Sequence, residues 1–175
     1  MKRMVVFLMV LTGFALAFTF TASATEANQI GEGVTVHHLV VNENAAIAIT
    51  AAPAYGDRMP PYPFVYGQLN HGDPFDYETI TIITVNGNYY GKKPFHDFPN
   101  GFIRADGTFL VQFSSNDGVG TDWQATEIFI FLVPSGYQDP IQPDPNAGYA
   151  ISPAQVSALK KDSVCVVQIA REPLE

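Results

Sequence analysis

Apolar and polar positions alternate through the middle of the chain. Phe64 to Leu69 reads F-V-Y-G-Q-L, and Tyr77 to Val85 reads Y-E-T-I-T-I-I-T-V. A period of two is the mark of a β-strand, and it puts Thr79 and Thr81 on one face with Ile80 and Ile82 on the other. Asn86-Gly87 predicts a tight hairpin turn, with Asn88-Tyr89-Tyr90 as the returning strand. Asp106-Gly107 predicts a second hairpin between Gly101–Arg104 and Thr108–Phe113.

Other runs complete the pattern. Val34 to Val41 is β-branched and apolar, Ala46 to Thr50 reads A-I-A-I-T, and Glu127 to Val133 is a long apolar strand. Ser163 to Ala170 is the last strand, and its V-C-V-V run predicts burial. Between strands lie Pro- and Gly-rich breaks at Pro53–Pro63, Gly72-Asp73-Pro74, Ser114–Asp122, Pro134-Ser135-Gly136 and Asp139–Pro145. Ser152-Pro153 has the form of an N-cap followed by proline at the first helical position, so one short helix is expected near 153–161. Lys160 and Lys161 suit its C-terminal end. Seven or eight short strands with frequent turns predict a mainly β protein, an immunoglobulin-like β-sandwich with that one helix. The Cys–Trp–Cys pattern of antibody domains is absent.

The N-terminus follows a different pattern. Met1, Lys2 and Arg3 give a basic start, Met4 to Phe20 runs without charge, and Ala22-Ser23-Ala24 offers small residues at a cleavage site. That order is expected of a secretory signal peptide over residues 1–24, cut after Ala24. The apolar run lies near the lower length limit for a membrane span. Thr25 to Gly33 is polar and reads as loose. The expected organisation is therefore signal peptide 1–24, N-terminal segment 25–44 and β-sandwich domain 45–172, in a protein that is secreted or extracellular, or periplasmic if the source has an outer membrane.

Charge and cysteine content narrow the partners. The formal net charge of −8 becomes more negative once Lys2 and Arg3 are removed. An acidic surface repels phosphate backbones and anionic lipid, so neither nucleic acid nor, after signal cleavage, membrane is expected as a partner. Cys165 is the single cysteine, so no internal disulfide is possible and the core must hold the fold together. Its apolar strand makes it a core thiol rather than a nucleophile.

The segment Gly67 to Tyr137 resembles a secreted bacterial β-sandwich accessory module found beside extracellular carbohydrate-active enzymes and in short stand-alone proteins. Gly67, Gly72, Pro74 and Tyr77 open the match, and the apolar strand Thr79–Val85 continues it. Tyr89-Tyr90 with Lys93-Pro94 stands where the module shows a Trp pair and then Lys-Pro. Ile103, Asp106, Gly107 and Phe109 take the place of Ile followed by Asp-Gly-Ser/Thr-Trp. Asp122, Ala125 and Thr126, then Phe131-Leu132-Val133-Pro134 with Gly136 and Tyr137, complete it. The resemblance implies a β-sandwich in an extracellular setting and carries no catalytic residues across. At two steps this chain has Tyr or Phe where the module has Trp, which changes the size and edge polarity of any stacking surface.

Candidate chemistry is sparse. His37 and His38 are adjacent in a strand and point to opposite faces, and His71 and His96 stand singly, so no histidine metal site is expected. Asn116, Asp117 and Asp122 share a loop whose oxygens suit calcium, although the spacing matches no EF-hand and the same residues serve as turn formers. Glu78, Asp97 and Glu127 could supply a glycosidase pair, yet 17 acidic residues offer many such pairs. Ser135 lacks the glycines of a nucleophile elbow. The expectation is a non-catalytic binding or accessory module without a cofactor, directed to polysaccharide or to another extracellular protein. Tyr89, Tyr90 and Trp123 are its candidate ligand contacts, because aromatic faces stack on sugar rings; the alternative is that Tyr89-Tyr90 anchors the hairpin to the core, and as strand neighbours the two face opposite ways. A structural or protein-interaction sandwich, and a small secreted hydrolase, are the alternatives.

Overall fold

Ten strands and one α-helix organise the described residues of the computed structural model, which are 27–56, 64–92, 101–112, 121–138 and 150–173. The strands are β1 (Ala27–Gly31), β2 (Val34–Val40), β3 (Ile47–Ala51), β4 (Phe64–Leu69), β5 (Tyr77–Val85), β6 (Asn88–Lys92), β7 (Thr108–Gln112), β8 (Glu127–Pro134), β9 (Ala150–Ile151) and β10 (Cys165–Arg171), with α1 over Pro153–Asp162. They form a seven-stranded sheet in the order β1-β2-β10-β8-β5-β6-β9 and a three-stranded sheet in the order β3-β4-β7. Every pairing is antiparallel. Residues 1–24, expected to be a signal peptide, lie outside the described residues.

The central strands of the large sheet are apolar on both sides because both sides are covered. Along β8, Ile128, Ile130 and Leu132 enter a core shared with Ile47 and Ile49 of β3, Val65 and Leu69 of β4, and Phe109 and Val111 of β7. The alternate residues Phe129, Phe131 and Val133 join a second core with Val156 and Leu159 of α1. The molecule is thus three layers deep: small sheet, large sheet, helix. Continuous apolar runs are what double burial demands of a strand. β10 obeys the same rule, with Cys165, Val167 and Ile169 facing the small sheet and Val166 facing the helix.

The helix forms where its sequence directs. Ser152 caps the first turn by accepting from Gln155 N–H, and the Gln155 side chain accepts in return from Ser152 N–H at 3.0 Å. Pro153 occupies the first turn, where a missing N–H costs nothing. Val156 and Leu159, three apart, are its buried pair. Each contributes about 1.5–3 kcal/mol by leaving water.

The Asn86-Gly87 hairpin forms with both residues at positive φ, 50° and 76°, as its tight turn requires. The second hairpin is shorter than expected. Gly101 turns the chain at φ 103°, and among the described residues only Ile103 bridges back, to Phe109. The residues before 45 form β1 and β2, and β2 pairs along the length of β10. Polar composition reads Thr25–Gly33 as loose, yet β1 gains backbone pairing from β2, and Ile30 is its one residue packed on the core.

Candidate functional site

The outer face of the three-stranded sheet is built by the period-two pattern of β4. Val65 and Leu69 point into the core, so Phe64, Tyr66 and Gln68 share the opposite face. The Phe64 and Tyr66 rings lie with centroids 6.2 Å apart and planes at 59°, and Tyr66 is 48% exposed. Leu110 of β7 stands directly opposite Tyr66 and Thr108 opposite Gln68. Beneath them a Cβ on Gly67 would fall 2.0 Å from Cζ of Phe109, so only glycine lets that ring lie against the strand. The pair is therefore carried on a tightly packed floor.

The neighbouring turn fixes one end of this face. Gln68 Nε2 donates to the carbonyl of Asp106 at 2.9 Å. Asp106 in turn accepts from Thr108 N–H at 2.9 Å and from the Thr108 hydroxyl at 2.7 Å. These bonds, the hydroxyl first, hold the Asp106 carboxyl below its ordinary range. A tied turn of this kind keeps Gln68 in register with the aromatic pair.

The three aromatics expected as contacts are not brought onto one surface. Tyr89 is half-buried on the helix side, 6.3 Å from the Phe129 ring. Tyr90 is half-buried on the opposite side, against the core between the sheets. Trp123 sits in a short 3-10 turn over Asp122–Gln124, where its carbonyl accepts from Gly56 N–H at 3.2 Å. Asp122 forms an ion pair with Lys92, while its companions Asn116 and Asp117 lie outside the described residues. No group of three His, Cys, Asp or Glu suited to a metal occurs among the described residues. Cys165 is buried in the core, and burial pushes its thiol above the ordinary range.

The acidic residues are also separated. Glu78 faces Val133 and Glu127 faces Thr84, on neighbouring strands but six residues apart along β5. At roughly 3.3 Å per residue that is about 20 Å, with Ile80, Ile82 and Phe131 between them. Glycosidase carboxyls stand about 5–9.5 Å apart, so these two do not form such a pair. Asp97 lies outside the described residues.

Arg171 is the polar residue that the sequence reading missed. It is 2% exposed at the end of β10. Its guanidinium donates to the carbonyls of Pro53 at 3.0 Å, Ala125 at 2.8 Å and Trp123 at 3.4 Å, and to Ala54. It pins residues 53–54 and the Trp123 turn to the last strand. The signal was present, because residues 165, 167, 169 and 171 alternate onto the core side. A fork of five donors suits a cluster of carbonyls in a way no apolar side chain can.

Comparison of the chain with protein-family models, with curated proteins and with solved structures returned no match. No described helix is long and apolar enough to cross a membrane.

Proposed function

We propose that this protein is a secreted, non-catalytic module that binds polysaccharide through the outer face of its three-stranded sheet. The observation that carries the reading is the exposed Tyr66 beside Phe64 on a rigid floor. Aromatic rings offer their faces to the C–H side of a sugar, and a preformed surface avoids the ordering cost of binding. The resemblance of Gly67–Tyr137 to an accessory module and the basic–apolar–small start of the chain support the extracellular setting. An immunoglobulin-like arrangement of the sandwich belongs to the same proposal, supported by two antiparallel sheets sharing one core.

One observation favours a protein partner instead. Phe75 and Phe102 are 68% and 55% exposed, outside the small sheet. A protein-interaction sandwich would use such residues rather than Tyr66.

Affinity electrophoresis of the exported protein against a panel of soluble polysaccharides separates the readings. The expected result is retardation of the wild type, its weakening by roughly tenfold in Tyr66→Ala and Phe64→Ala, and unchanged melting for Tyr66→Ala. Tyr89→Ala, Tyr90→Ala and Trp123→Ala test the half-buried aromatics in the same gel. Intact mass of the same preparation is expected to begin at Thr25. A wild type that no polysaccharide retards removes the carbohydrate reading and leaves the protein-partner one.

A further inference from the structure

The helix does not cover the whole of its side of the large sheet. It packs over Ile80, Ile82, Phe129, Phe131 and Val133, and Lys160 Nζ lies 4.6 Å above the Phe129 ring. The same face continues toward the Asn86-Gly87 turn as a polar strip. Thr84 of β5 stands directly between Glu127 of β8 and Tyr89 of β6. Gln168 of β10 stands between Phe129 of β8 and His37 of β2, on the same face.

Two features of this strip lack a structural explanation. Glu127 is half-buried and accepts from Gln168 Nε2 at 2.5 Å, and no Lys or Arg among the described residues pairs with it. A carboxylate that gives up water normally gains a cation or several donors. Thr84 is only 6% exposed, and its hydroxyl has no hydrogen-bond partner among the described residues. Leaving a buried hydroxyl unpaired is costly.

We propose that Glu127, Gln168, Thr84 and Tyr89 form a second carbohydrate subsite that takes a vicinal pair of sugar hydroxyls. The inference rests on the polysaccharide reading above and deepens it. Two adjacent sugar O–H groups supply the donors that Glu127 lacks. One of the same oxygens accepts from the Thr84 hydroxyl once the half-buried Glu127 side chain turns toward the sugar. The Tyr89 ring, braced on Phe129, walls the site and faces the C–H side of the sugar. The subsite lies on the far side of the three layers from Tyr66. A protein with a contact on each outer face bridges two polysaccharide chains rather than coating one.

The test uses the full exported chain, with Glu127→Gln, Thr84→Val and Tyr66→Ala, in affinity electrophoresis and in agglutination of polysaccharide-coated beads. The wild type is expected to be retarded and to agglutinate beads. Glu127→Gln is expected to bind roughly tenfold more weakly, and each of the three variants to lose agglutination. Thr84→Val melts no lower than the wild type, since it deletes an unpaired hydroxyl, so its loss of bridging reads on the ligand and not on the fold. Retardation and agglutination by Glu127→Gln and Thr84→Val at wild-type levels overturns the subsite while leaving the Tyr66 surface standing. A wild type that binds no polysaccharide overturns both.

Discussion

Single residues show how strictly the core is built. Thr81 is 1% exposed on the side of β5 that faces the small sheet, and its hydroxyl has no partner among the described residues. Valine has nearly the same shape without the polar atom. Thr81→Val is expected to stabilise the protein by about 1 kcal/mol, because it removes an unpaired buried group and leaves no cavity. Urea denaturation measures this, and a destabilised variant would mean that the hydroxyl is solvated in the core. Alternation in the sequence places Phe64, Tyr66 and Gln68 on one face, and Glu127 with Phe129 on another. It does not say which face another layer will cover, so it cannot pick Tyr66 over Tyr89 as an exposed ring. Arg171 was legible as a charge on the inward side of an apolar strand, but its four carbonyl partners come from segments more than 40 residues away.

At the scale of elements, local chemistry and long-range pairing divide the work. The helix, its cap and the Asn86-Gly87 turn could be read directly, because each is fixed by residues within a few positions. β1 and β9 could not: β1 is polar and is ordered by pairing with β2 across a tight turn, and β9 is two residues long and gains its backbone bonds from distant β6. The Asp106 turn illustrates a local device with a pH signature. Its carboxyl titrates below the ordinary value in the folded protein, so the stability it contributes is present above that ordinary value. It is lost as pH falls through the lowered one. Asp106→Asn is therefore expected to melt below the wild type at neutral pH, with the gap closing in acid beneath the usual carboxylate range. Melting curves from pH 7 downward check this, and a gap independent of pH would show that the charge is not what the turn uses.

At the scale of the whole molecule, Arg171 ties the last strand to two loops at one end of the sandwich. Arg171→Met keeps much of the side-chain volume but leaves the carbonyls of Pro53, Ala54, Trp123 and Ala125 without this donor. The expected loss is on the order of 3 kcal/mol in urea denaturation, as several buried acceptors go unpaired together. A loss below about 1 kcal/mol would mean that water fills the place of the guanidinium.

The position of β10 also orders events in time. It is the latest strand in the described chain, yet it lies between β2 and β8, near the middle of the large sheet. Until residues 165–171 emerge, the β1–β2 hairpin has no neighbour on its inner edge, β8 has a bare side, and the guanidinium that clamps the loops does not yet exist. Contacts of such long sequence separation form late. For a chain threaded N-terminus first across a membrane, as proposed here, the latch can close only after residues 165–171 have passed. On the proposed route of export, the same strand order that closes the finished sheet would keep its precursor slack during passage.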